Sequence, residues 1–283
     1  AYEIYQCDWS SDVCSSDLAH WSLLTVKGGT SMIETHAHLD SDRYDEDRDF
    51  VIKEAFNNGI THIINISSDS SSLEKVKILG EAYEKIFISA GIQPHSASEM
   101  NSHILELIKS MAKGKKVVAI GETGLDYHYN FSLPEIQRQV FREQIKLAVK
   151  ENLPLVIHTR EAFDDTLAIL KEEKASMGVI HCFTEDLNSG KTFTDMGFYI
   201  GIGGAVTFKN TKLLHEAVKG IPLEKIILET DCPYMTPAPY RGKRNEPYYL
   251  RFIAEKIADL KKITVEEVEK VTTENAIKLF RLP

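Results

Sequence analysis

The sequence predicts an α/β protein built as a single (β/α)8 TIM-type barrel. Three observations carry that expectation. Eight short runs rich in β-branched and other apolar residues recur along the chain, as strands buried on both faces of a parallel sheet require. Amphipathic stretches with helix punctuation separate them. Histidines and carboxylates fall at the C-terminal ends of several runs, the rim where such barrels place their active sites.

In chain order the strands are expected at 32–35, 62–66, 86–90, 117–120, 155–158, 178–181, 198–201 and 226–228. Between the fourth and fifth, Ser132-Leu133-Pro134-Glu135 reads as a capping box with Pro in the first turn. The helix behind it has an apolar face of Ile136, Val140, Phe141, Ile145 and Ala148. Ser71-Ser72-Leu73-Glu74 and Thr264-Val265-Glu266-Glu267 read as two further boxes. An open doubly wound sheet shares this local signature. Its glycine-rich dinucleotide fingerprint is absent after the first strand.

Of the 283 residues, the first 31 show neither a helical nor a strand period. They hold two of the four cysteines and a Ser/Asp-rich run at 8–18, and they lack the pattern of a secretory signal. Gly28-Gly29-Thr30-Ser31 reads as a linker before Met32. Residues 1–31 are therefore expected to be a non-native or disordered leader, and 32–283 the barrel, whose typical length is about 250 residues. The formal charge of the whole chain is −9. The first 31 residues carry four acids and one base, so residues 32–283 keep 38 acidic and 32 basic side chains, a charge of −6. Such a chain has no global attraction for nucleic acid, and any polyanion must be met by a local basic patch or by metal ions. No apolar run approaches the roughly 20 residues that cross a bilayer, so no membrane partner is expected. Cys182 and Cys232, far apart, suggest no disulfide framework, and a cytoplasmic setting is expected.

The chemistry is expected at the strand ends. The first strand runs into His36-Ala37-His38, and imidazoles two apart on an extended backbone point to one side. The fourth runs into Gly121-Glu122-Thr123-Gly124-Leu125-Asp126, the fifth ends at His158, the sixth at His181, and the eighth runs into Glu229-Thr230-Asp231. Any one such histidine is more often structural, and any one such carboxylate more often a cap; their agreement on one rim favours a metal site. Four imidazoles and two carboxylates exceed what one zinc takes. Two divalent ions bridged by a carboxylate would use all six. Magnesium, manganese, zinc and nickel all suit the mixed donors. Cys182 follows His181, so in an extended strand it should point the opposite way, and Cys182 and Cys232 are both read as structural.

These segments resemble the signatures of the TatD family of metal-dependent deoxyribonucleases. The likeness rests on Thr35-His36-Ala37-His38-Leu39-Asp40, Gly121-Glu122-Thr123-Gly124-Leu125-Asp126-Tyr127, Ile157-His158-Thr159-Arg160, His181-Cys182-Phe183 and Glu229-Thr230-Asp231-Cys232-Pro233-Tyr234, together with 241–247. It covers essentially all of 32–283 in order and spacing. The resemblance implies hydrolysis of DNA phosphodiesters, often as a 3′→5′ exonuclease on single strands. It also implies that His36, His38 and Asp231 hold one ion, that His158 and His181 hold the other, and that Glu122 bridges them. Where the family often has His-Pro-His, this chain reads Gln93-Pro94-His95, which leaves His95 as the phosphate contact. Asp231 is expected as ligand and general base, and Glu229 as a group orienting a ligand.

Arg160, Arg241, Lys243 and Arg244 are the candidates for gripping phosphate. Tyr127, Tyr129 and Phe131 can stack bases or simply pack their loop, and are left outside the site. Two rival readings stand beside the nuclease. The same metals would serve a D-aminoacyl-tRNA deacylase or another amidohydrolase, although Glu122 at the end of the fourth strand, where some of these enzymes carry a modified lysine, favours the nuclease branch. A non-catalytic metal-binding scaffold would show eroded ligands, and none of the six is eroded.

Overall fold

A computed structural model describes residues 31–283. Apart from Ser31, the expected leader lies outside the described residues. Parallel strands alternate with helices: β1 (Met32–Ala37), α1 (Arg48–Asn57), β2 (Ile60–Ile66), α2 (Ser72–Ala82), β3 (Ile86–Ala90), α3 (Ser102–Met111), β4 (Val117–Asp126) and α4 (Pro134–Glu151). The second half continues with β5 (Leu155–Arg160), α5 (Phe163–Glu172), β6 (Gly178–Ile180), α6 (Leu187–Asp195), β7 (Tyr199–Ile202), α7 (Lys212–Gly220), β8 (Ile226–Leu228), α8 (Leu250–Lys261) and α9 (Val265–Phe280). The strands form one sheet in the order β1 to β8. Backbone bonds from Asp231 N to His36 O (2.9 Å) and from His38 N to Cys232 O (2.8 Å) join the end of β8 to the end of β1. The expected barrel is what the chain forms.

Two apolar layers hold it. Outside, helix faces such as Phe141, Ile145 and Ala148 of α4 pack on outward-facing strand residues such as Ile157. Inside, Ile33, Ile64, Val118, Val156, Val179 and Ile227 meet Ala276, Leu279 and Phe280 of α9, which closes the N-terminal end. Side chains alternate along a strand with period two. So Val156, Val179 and Ile227 at the floor are followed two residues later by His158, His181 and Glu229 at the mouth.

Two ligand-bearing strands depart from a regular ladder. The β1–β2 register shifts between Glu34 and Ala37, and the β4–β5 register between Ile120 and Thr123. β4 therefore runs on past the expected end at 120 to Asp126, and Glu122 lies inside the strand, 3% exposed. Gly121 and Gly124 make this possible. Both have positive φ (143° and 138°), and a Cβ on either would collide with the β5 backbone at Val156 or His158.

Helix caps differ from expectation at two of three places. Thr264 caps α9 by accepting from Glu267 N. At α4 the residue before the helix is Leu133, with no side-chain cap bond. Ser132 is taken instead by tertiary partners, donating to His95 O and accepting from Ser98 N. At α2, Ser71 bonds Asp69, and it is Asp69 that accepts from Ser72 N. A tertiary contact decides the first case, and local competition of short polar side chains for nearby backbone groups decides the second.

Candidate metal centre

The closure of the barrel sets the first group. His36 and His38 do point to one side: their Nε2 atoms lie 3.2 Å apart. Asp231, on the β8 end that closes against β1, brings Oδ1 to 3.7 Å from His36 Nε2 and 3.5 Å from His38 Nε2. From β4, Glu122 Oε2 lies 3.7 and 3.9 Å from the same two nitrogens. Its other oxygen, Oε1, is 3.0 Å from His158 Nδ1 and 4.0 Å from His181 Nε2. Glu122 thus stands between the pair from β1 and the pair from β5 and β6. The structure brings all six expected residues together.

The donor set fits divalent cations. His36 Nδ1 is buried with no hydrogen-bond partner, and its Nε2 faces another imidazole nitrogen at 3.2 Å. At most one of two facing nitrogens can donate to the other, and carboxylate oxygens converge on the same space, so His36 is left short of bonded partners. A cation supplies what is missing. His36, His38 and Asp231 form one such group, and His36, Glu122 and His181 a second.

The electrostatics agree. Burial alone would lower the pKa of His38, but the Asp231 and Glu122 carboxylates raise it to about 9. Burial likewise opposes protonation of His158, and its bonds to Asp126 and Glu122 again raise it to about 9. His36, buried and beside His181, is lowered. Glu122 and Asp231 resist the upward push of burial and stay well ionised, held down by the surrounding imidazoles.

Two groups surround the six. Glu229 Oε1 lies 3.1 Å from His181 Nδ1, although out of line for a hydrogen bond, since that nitrogen has no bonded partner. Glu229, expected to orient a ligand, thus stands beside His181 without a hydrogen bond to it. Sequence reasoning gave Asp126 no role, yet its carboxylate is fully buried and its Oδ2 lies 3.0 Å from His158 Nε2 and 2.9 Å from His95 Nε2. The available signal was its position four residues after Glu122. Four residues on, the period of two returns it to the side that Glu122 takes.

Cys182 corrects an expectation. It is not extended but left-handed, with φ 47°. Its sulfur lies within 4.8 Å of ligand atoms of His181 and Glu229 rather than on the opposite face. Burial, with Asp231, Glu229 and Glu122 nearby, holds its thiol pKa high.

The basic candidates separate. Arg160 lies on β5 over the Tyr129 ring (4.7 Å to the centroid), and Arg241 over Phe208 (4.3 Å). Arg244 differs from what the sequence suggested: it donates to both oxygens of Asp47 (2.8 and 2.7 Å) and to Glu246 (3.0 Å). Its fork clamps two carboxylates instead of standing ready for phosphate.

Comparison with known proteins agrees with this geometry. The family profile described as TatD related DNase matches residues 33–281. The chain is 45% identical over 253 residues to the metal-dependent hydrolase YabD of Bacillus subtilis (strain 168), which is described as uncharacterized; the match covers 89% of this chain and 99% of YabD. It is 34% identical over 259 residues to the 3′-5′ ssDNA/RNA exonuclease TatD of Pantoea ananatis, covering 89% and 100%. The crystal structure of the TatD homologue YJJV from Escherichia coli K12 superposes with a TM-score of 0.86 at 27% identity, covering 90% and 100%. The chain therefore belongs to the TatD-related DNase family and is a metal-dependent hydrolase.

Proposed function

We propose that this centre holds two divalent cations and hydrolyses the phosphodiesters of single-stranded DNA from the 3′ end. The observation that carries the reading is the gathering of four imidazoles around Glu122 and Asp231 at one buried mouth. The family description and the activity named for the P. ananatis relative support the choice of bond. Magnesium, manganese, zinc or nickel ions bound there would supply Lewis acidity towards phosphoryl oxygens and bring the pKa of a water towards neutrality.

The residues then divide the work. His36, His38 and Asp231 would hold one ion, His158 and His181 the other, with Glu122 shared. Asp231, an ionised carboxylate at the centre, takes the proton of the attacking water as general base. Glu229 keeps the His181 ring in place. His95, held by Asp126, faces the phosphate. Arg160 and Arg241 supply the local positive charge that a chain of net charge −9 otherwise lacks.

The test is a single-stranded DNA labelled at its 5′ end and incubated with Mg²⁺ or Mn²⁺. A ladder shortening from the 3′ end is expected, abolished by chelator and by Glu122→Ala or Asp231→Ala. Intact DNA under every metal, from a folded protein that binds two ions, would overturn the reading. The same site would then be tried on D-aminoacyl-tRNA esters.

A further inference from the structure

Beside the metal centre, the loop after β4 carries an aromatic stack that the proposed chemistry leaves unused. The Tyr129 and Phe131 rings lie nearly parallel, with centroids 5.3 Å apart and 10° between planes. His95 stands edge-on to both, at 5.7 and 5.1 Å. It also lies 5.7 Å from the ring of His158. One imidazole therefore separates the stack from a candidate metal ligand. Arg160 adds a guanidinium over the Tyr129 ring.

Phe131 is 54% exposed. Exposure alone would mean little, because single apolar residues are common on surfaces. Here the loop that carries the exposed ring is held by hydrogen bonds on both sides. Asp126 Oδ1 accepts from His128 N and Tyr129 N, both at 3.0 Å. Asn130 Nδ2 donates to Tyr127 O at 2.9 Å. Beyond Phe131, Ser132 bonds to the backbone of His95 and Ser98. The segment is pinned at both ends, and the carboxylate that pins its start also holds His95 and His158. The backbone that carries the rings is thus tied to residues of the metal centre, which lowers the ordering entropy lost on binding.

We propose that the Tyr129–Phe131 stack, with Arg160, seats an unpaired nucleobase next to the phosphodiester held at the metal centre. This inference rests on the nuclease reading above. An aromatic face accepts any base, since every base has a π face, and a guanidinium beside it adds cation–π attraction. Bases inside a duplex have both faces covered, so such a seat selects single strands and frayed ends. Because the net charge opposes DNA, stacking supplies affinity that global electrostatics does not.

The test compares two single-stranded oligonucleotides, one intact and one whose two 3′-terminal nucleotides are abasic tetrahydrofuran units. Each is cleaved by the wild type, by Phe131→Ala and by Phe131→Trp. In the wild type the abasic substrate is expected to lose about tenfold in kcat/KM, the scale of one base–aromatic stack. In Phe131→Ala the intact substrate falls by a similar factor and the abasic one falls no further; Phe131→Trp restores the preference for bases. A wild type that cuts both substrates equally, or a base preference that survives in Phe131→Ala, overturns the seat and leaves the nuclease standing. A wild type that cuts neither overturns the nuclease reading and the seat with it.

Discussion

The two ends of this barrel are made from the same strands, and their chemistry is opposite. At the floor, Val156, Val179 and Ile227 pack against Leu279 and Phe280 of α9. Two residues on, at the mouth, the same strands present His158, His181 and Glu229. The floor is satisfied, apolar against apolar. The mouth is not: His36 Nδ1 and His181 Nδ1 are buried without bonded partners, and so is Glu34 Oε2 just beneath. The difference separates what keeps the barrel together from what it is for. Burial at the floor stabilises the fold, whereas the buried imidazoles and carboxylates of the mouth cost stability unless a cation completes them.

That separation can be broken from either side. The largest expected effect is at the floor. Phe280→Ala empties the plug beneath the barrel and is expected to cost about 3–5 kcal/mol of stability, read by denaturant unfolding. Metal content and turnover per folded molecule should hold. If metal is lost from the folded variant, floor and mouth are one mechanical unit and the comparison fails.

Next comes Asp126→Asn, which leaves the six ligands in place and weakens the anion behind His158 and His95. Outer partners of metal-bound histidines are typically worth about 10- to 100-fold in metal affinity or activity, and a loss of that size is expected, with the unfolding midpoint little changed. Full metal affinity and activity in this variant would remove Asp126 from the account.

The smallest effect is on protons. In protein stripped of metal, His38 and His158 have pKa values raised from 6.5 to about 9. A raised imidazole pKa stabilises the stripped fold fully below about pH 6.5, and that contribution is lost as pH rises through about 9. Metal must displace those protons, so loading is expected to release protons at pH 7 and to strengthen up to about pH 9. Calorimetry in buffers of different ionisation enthalpy reads the release. Uptake, or no exchange at all, would mean that these imidazoles are not ligands.

Much of this was legible in the sequence because period two is legible. A strand whose floor residue is apolar and whose last inward residue is His or Glu announces both the core and the site, as at Val156 and His158. Asp126 shares its side of β4 with Glu122 by the same period, but its role was hidden because only the fold brings His158 and His95 to its carboxylate. Cys182 was misplaced because its left-handed backbone turns the sulfur towards Glu229. Arg244 looked free in a basic run, and only the fold shows Asp47, nearly two hundred residues away in sequence, in its grip. Two of three capping boxes failed, one because the fold brings the His95 backbone to Ser132, the other because Asp69 takes the place of Ser71.

The most direct test of the central claim is the metal content of dialysed, folded protein after loading with Zn²⁺ or Mn²⁺, for the wild type and for Glu122→Ala, His36→Ala and His158→Ala. Two ions per chain in the wild type, with ions lost from each variant while far-ultraviolet circular dichroism stays unchanged, is the predicted result. Variants that keep the full metal content of the wild type would contradict it, because the ions would then be held elsewhere than at the mouth of the barrel.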